Sequence, residues 1–308
     1  MITESFNETI SSIAGVDEGL WINDYKRKDR LVIPRFNPRR KALLSVDCDN
    51  TIFNPAHYKL LREKIFATNP NPNCRLICAR NDQLCSQATE RYNQHIWPVL
   101  DLFYYKKWGL TYDMVMDIAS HSPLKSGVVE LFQDLQETGR IEVAINSYGM
   151  KPFIQRVLDC HGLSGIHLLA NPIINEEKGQ LGLDLRSEED GFDPYDLTQW
   201  PINPISEEVN AYVHEYPVSP ATKGIVMRRL ENQLGVDPVN TVVAYDSGGD
   251  VNMARACKGL RIAQVNNKER FLKDHRLPAL LKSTDVIALQ PDGGFEYAAY
   301  AIRERMMV

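Results

Sequence analysis

Four places in the chain put reactive side chains where a backbone turn would present them. The first is Leu43-Leu44-Ser45-Val46-Asp47-Cys48-Asp49-Asn50-Thr51-Ile52-Phe53, an apolar run that ends in two carboxylates one residue apart. A strand interior does not tolerate such charges, so Asp47 and Asp49 belong at a strand's carboxyl end, the edge where open α/β sheets bind ligands. The second is Asn146-Ser147-Tyr148-Gly149, after the apolar run Ile141–Ile145 and before a helical stretch from Pro152 to Cys160. It offers a hydroxyl and helix-start N–H groups to an anion. The third is Lys223-Gly224, which opens an amphipathic helix ending at Gly235. A cation disfavours a helix N-terminus, and a bound anion would explain it there. The fourth is Asp246-Ser247-Gly248-Gly249-Asp250 after the run Thr241–Tyr245, with two carboxylates spaced to fold around a hard cation such as Mg²⁺. The first three have ordinary alternatives: an Asx-type turn, a strand-to-helix turn and a solvated lysine.

The elements that must position these groups follow from apolar patterning. Strands are expected at Leu43–Val46, Ile141–Ile145, Ile166–Ala170, Thr241–Tyr245, Ile262–Val265 and Val286–Leu289. Helices are expected between them, with Val128, Val129, Leu131, Phe132 and Leu135 forming one apolar face and Gly139 ending that helix. Alternating strands and helices predict an α/β fold, a mostly parallel sheet with helices on both faces. Right-handed crossovers then bring the polar strand ends to one edge. Residues 54–123 break the pattern: helices from His57 to Phe66 and Gln83 to Tyr92 flank an Asn-Pro loop, and aromatics gather at Tyr104, Tyr105, Trp108 and Tyr112. This reads as a mainly helical insertion whose aromatics form a small core of its own or line a substrate entrance. Residues 1–40 read as a polar extension with a basic cluster from Lys26 to Arg30, 172–185 as a hairpin turning at Glu177-Lys178-Gly179-Gln180, and 186–217 as a long acidic excursion with no legible role.

Composition narrows the class. The chain has 308 residues, 44% hydrophobic and 24% charged, enough for one large domain or two unequal ones. A net charge of −5 argues against a broad nucleic-acid footprint. No run is long enough to span a membrane, the N-terminus lacks a secretory pattern, and six scattered cysteines suit reduced thiols, so a cytoplasmic setting is expected. The spacing of Cys74, Cys78 and Cys85 is not a standard zinc pattern.

Paired Asp, Ser, Lys and paired Asp, in that order, resemble the haloacid dehalogenase (HAD) superfamily of phosphatases and phosphotransferases. Asp47-Cys48-Asp49-Asn50-Thr51 resembles its DxDxT motif, Ser147 its second motif, Lys223 its third, and Asp246 to Asp250 its acidic fourth. Lys223-Gly224 and the run after Asp250 resemble the phosphoserine-phosphatase-like branch; Tyr245, where the family often has Gly, departs from it. The resemblance implies a Rossmann-like core at 41–53 and 124–308 with a small C1-type helical cap domain at 54–123. It implies an Mg²⁺-dependent phosphomonoester hydrolase working through an aspartyl-phosphate. Asp47 would be the nucleophile and Asp49 the acid/base. Ser147 and Lys223 would hold the phosphate. The metal would be held by Asp47, Asp246 and Asp250 with the Asp49 backbone carbonyl. The substrate expected is a small organophosphate, with Arg62, Arg75, Arg80 or Arg91 available to its leaving group; a phosphoprotein substrate, or a binding protein with little turnover, are the rival readings.

Overall fold

The computed structural model describes residues 10–15, 17–22, 36–69, 71, 73–92, 105, 108–171, 174–175, 180–181, 218, 222–274 and 276–307, with the backbone alone for 22, 84–92, 174–175 and 180–181. The basic cluster from Lys26 to Arg30, Tyr104 and the 186–217 excursion lie outside the described residues.

A seven-stranded sheet organises the chain. Its strands are β1 (Gly19–Ile22), β2 (Ala42–Val46), β3 (Ile141–Met150), β4 (His167–Asn171), β7 (Thr241–Tyr245), β8 (Leu260–Val265) and β9 (Val286–Leu289), in the order β1-β9-β8-β7-β2-β3-β4. All neighbours pair parallel except β1, which runs antiparallel to β9. A two-stranded antiparallel pair, β5 (Ile174–Asn175) with β6 (Gln180–Leu181), falls within the hairpin expected at 172–185, with Gln180 in the second strand rather than in the turn. From β2 the chain winds through β3 and β4 to one side, then returns to β7, β8 and β9 on the other. The carboxyl ends of β2 and β7 therefore flank the point where strand order reverses, which opens a crevice at that edge.

Side-chain alternation explains why helices cover both faces. Leu44, Val46, Val143, Ile145, Val242, Ala244 and Ile262 join one buried cluster, while Leu43, Ala144, Val243, Tyr245, Ala263 and Val265 join another. The first cluster is closed by α4 (Val128–Glu137), α5 (Lys151–Cys160) and α10 (Glu296–Met306). The second is closed by α6 (Lys223–Leu234), α7 (Val251–Ala256), α8 (Lys268–Leu272) and α9 (Leu277–Ser283). Helices α4 and α6 are followed by Gly139 at φ +65° and Gly235 at φ +68°, left-handed positions that glycine adopts without a Cβ clash. On α4, Val128, Leu131, Phe132 and Leu135 are buried, as the apolar spacing required.

The insertion contributes α1 (His57–Thr68), α2 (Cys74–Tyr92) and α3 (Tyr112–Ser120). Its buried side chains, among them Leu61, Ile65, Cys78, Tyr105, Val115 and Ala119, are continuous with the core beneath β2 and β3 rather than a separate nucleus. Tyr105 is buried and Trp108 and Tyr112 pack against that core, so these aromatics serve packing. The second insertion helix begins nine residues earlier than Gln83 suggested, because Asn73-Cys74 lets the chain turn directly out of the Asn-Pro loop. The extension before residue 40 is structural in part: β1 seals the β9 edge, and Ile13 is fully buried. No helix among the described residues is long and apolar enough to cross a membrane.

Candidate active site

The reversal point gathers most of the residues singled out by their spacing. Asp47 continues the ladder beyond β2 through its N–H to the Ala244 carbonyl, 2.9 Å. The backbone then turns through Asn50 in the left-handed region (φ +60°), which asparagine tolerates better than most residues. Thr51 donates its hydroxyl to Asp47 Oδ2 at 3.0 Å, and Lys223 Nζ bonds Asp47 Oδ1, so each oxygen of that buried carboxylate has a fixed partner. Lys223 Nζ also bonds Asp250 Oδ1. Oxygens of Asp47, Asp246 and Asp250 lie within 4.8 Å of one another.

Lys223 reaches this point because of the residue after it. A Cβ on Gly224 would lie 2.6 Å from the Asn252 carbonyl oxygen, so only glycine lets α6 pack this closely on α7. The partners of the buried lysine are these two carboxylates, Asp47 and Asp250. Asn146 Nδ2 adds a tie of 3.0 Å from β3 to the Lys223 carbonyl, and the Tyr148 ring lies 5.4 Å from Nζ.

Electrostatics follow from packing so many charges in a dry place. Burial, then Asp250, pushes Asp47 well above the ordinary carboxyl range despite the pull of Lys223. Burial and Asp250 likewise push Asp246 up to about 7. Burial alone would lower Lys223, but Asp250 and Asp47 outweigh it and hold the ammonium charged. Three carboxylates against one contacting lysine leave an excess of negative charge, and hard oxygen donors at this spacing suit Mg²⁺.

Asp49 stands apart from that group. Its Oδ1 accepts the His57 backbone N–H at 2.9 Å, and its Oδ2 lies 2.7 Å from His57 Nδ1. Burial would raise Asp49, but the His57 ring and its two hydrogen bonds prevail and hold the carboxyl below its usual value. Ser147 lies at the far end of β3, which overruns its expected stop and shifts register between Asn146 and Met150. Its Oγ accepts the Gly149 N–H at 3.0 Å. A Cβ on Gly149 would sit 3.1 Å from Ser147 Oγ and 2.6 Å from His57 Cε1, which places hydroxyl and imidazole around one spot.

Three residues went unnoticed in the sequence. His57 is the partner of Asp49. Lys125, buried just before α4, bonds the Asn50 carbonyl, and Asn266 donates to the same oxygen at 2.6 Å. Burial lowers Lys125 to about 8 against the opposing pull of Asp246 and Asp47. A lysine two residues before a helix-opening glycine was the only signal for it; nothing marked His57 or Asn266. Two leaving-group candidates are engaged elsewhere: Arg62 forks onto Asp82 (2.8 and 2.7 Å) and donates to Tyr105, and Arg75 lies 4.6 Å over the Phe66 ring. Cys48 is buried among apolar residues, and burial pushes its thiol up. Tyr245 points into the second cluster, sharing a hydrogen bond of 2.8 Å with Thr284, so its bulk does not enter the acidic loop from Asp246 to Asp250.

No family model matches the chain, and no curated protein matches it in sequence. Solved structures do. A HAD family hydrolase from Salmonella enterica subsp. enterica serovar Typhi aligns over 88% of this chain and 73% of its own at 14% identity and a TM-score of 0.57. Cytosolic 5′-nucleotidase IIIB bound to cytidine aligns over 98% and 97% at 16% identity and a TM-score of 0.53. A phosphoserine phosphatase, as a phospho-aspartyl intermediate analogue, aligns over 82% and 95% at 16% identity and a TM-score of 0.51. The fold of this chain is that of the HAD hydrolases and phosphoserine phosphatases.

Proposed function

We propose that the chain is a HAD-superfamily phosphomonoester hydrolase that works through an aspartyl-phosphate on Asp47 and acts on a small organophosphate. The observation that carries this reading is the convergence of Asp47, Asp246, Asp250 and Lys223 where strand order reverses. Asp47 Oδ attacks phosphorus and the bond to the leaving oxygen breaks, giving an acyl-phosphate. Asp49 gives that oxygen a proton, then takes one from the water that attacks the acyl-phosphate, so phosphate leaves and Asp47 is regenerated. Thr51 and Lys223 aim the nucleophile. Ser147 and Lys223 hold the non-bridging oxygens of the arriving phosphate. Mg²⁺, held by Asp47, Asp246, Asp250 and the Asp49 carbonyl, supplies charge neutralisation when bound.

The domain reading belongs to the same proposal. Residues 41–53 and 124–308 form the core, and 54–123 act as a cap that excludes water over a small substrate. The phosphatase and nucleotidase names of the structural neighbours support a small phosphate ester as substrate. Asp47→Asn should lower hydrolysis of p-nitrophenyl phosphate by at least about 10³-fold with the fold intact by circular dichroism. Undiminished turnover in that variant removes Asp47 as nucleophile, and turnover that survives thorough chelation removes Mg²⁺. A panel of phosphorylated metabolites beside phosphopeptides decides the substrate class, and preference for peptides overturns the small-molecule reading.

A further inference from the structure

The reaction as written leaves His57 without a part, although it is 1% exposed and touches the acid/base directly. We propose that His57 is the positioning residue for Asp49, fixing both carboxylate oxygens on the leaving-group side and away from the cluster of Asp47, Asp246 and Asp250. This rests on the phosphatase reading for the role of Asp49, but the clamp itself is a matter of geometry.

Two donors from one residue meet two oxygens of the other, at 2.9 Å from the backbone N–H and 2.7 Å from Nδ1, so the carboxylate plane cannot rotate without losing a bond. Ionised, as it is before it takes a proton from water, Asp49 only accepts, which places the proton on Nδ1. The pairing also serves the helix. His57 is the first residue of α1, and Ala56 offers no side chain to the open N–H groups there. Asp49 supplies the cap from eight residues upstream, with its charge at the favourable end of the helix. The imidazole is itself immobilised: its centroid lies 5.5 Å from the Phe153 ring and 6.3 Å from that of Tyr58. The bare Cα of Gly149 gives it room that any Cβ would fill.

Restraint has a purpose here. A fourth carboxylate beside three is drawn to the cation they share, and once ligated it is lost to proton transfer. The clamp also divides labour along the chain. The core sets the nucleophile and metal ligands, while the first residue of α1, within the insertion, sets the acid/base, so a displaced α1 takes Asp49 with it.

The test compares His57→Asn, whose amide nitrogen falls near the place of Nδ1, with His57→Gln, whose nitrogen falls near Nε2, and with His57→Ala. Each is assayed on p-nitrophenyl phosphate, whose leaving group needs no proton, and on glycerol 2-phosphate, whose alkoxide does. Gln and Ala should lower kcat/KM on the alkyl ester by about 10²-fold. On the aryl ester they should lower it by less than about a tenth of that effect, and Asn should recover most of the loss. Equal losses on both esters with no recovery by Asn, or no loss at all, overturn the proposal. A parent protein inactive on every ester would end the phosphatase reading, and the clamp would then be decided by a crystal structure of His57→Gln or His57→Ala with Mg²⁺. Asp49 should there have turned toward the other carboxylates; an unmoved Asp49 overturns the clamp.

Discussion

Buried charge is handled in opposite ways at the two edges of the sheet. At the amino edge, Arg261 meets Asp285 through its backbone N–H (3.0 Å), Nε (2.8 Å) and a terminal nitrogen (2.8 Å). Nearby, the buried Glu231 accepts from Thr241 and Arg228, both at 2.6 Å. Each carboxylate there is matched with donors that saturate it. At the carboxyl edge, Asp47, Asp246 and Asp250 outnumber Lys223. Matched charges hold a fold, because their partners are built in. An excess of one sign keeps a place for a partner that arrives from solution.

Breaking the matched edge should cost stability. Asp285→Ala strands the Arg261 guanidinium, which is largely buried, and should lower unfolding free energy by about 3 kcal/mol in urea titrations. Its response to Mg²⁺ should match the parent's. A smaller change with the opposite meaning is expected at the other edge. Asp246→Asn removes surplus charge, so in chelator the variant should be at least as stable as the parent, while stabilisation by Mg²⁺ in thermal melts should shrink sharply. The pH dependence follows. A carboxyl raised from 3.8 to about 7 binds protons more tightly folded than unfolded, so without divalent ions its contribution to stability falls as pH rises between those values. Asp246→Asn should flatten that decline, and an unchanged slope would show that Asp246 is not its source. Least of all, Tyr245→Phe should cost about 1 kcal/mol through the lost Thr284 hydrogen bond and leave turnover unchanged. A loss of activity there would mean that the residue does shape the acidic loop.

The same contrast explains what could be read from the chain beforehand. Asp47, Asp246 and Asp250 were visible because a carboxylate ending an apolar run contradicts its surroundings, and the run itself locates the strand. Lys223 stood out for the same reason, a cation where a helix disfavours one. His57, Lys125 and Asn266 contradict nothing locally; their partners are Asp49 and the Asn50 carbonyl, brought near only by folding. Short elements were lost for want of period. Helices α8 and α9 have five and seven residues, and β1 has four. The end of β3 was misjudged because Asn146 and Ser147 look like loop residues, yet both are buried and the strand runs on to Met150.

Strand β1 also bears on how the molecule is made. Gly19 pairs with Leu289, roughly 270 residues further along, so β1 leaves the ribosome long before the strand it pairs with. At ordinary rates of synthesis that wait lasts on the order of tens of seconds. Over that interval the core from β2 to β8 can assemble in chain order, and the outer edge closes only once β9 has been made. A chain cut short before Val286 would retain Asp47 and the acidic loop while β1 stayed unpartnered.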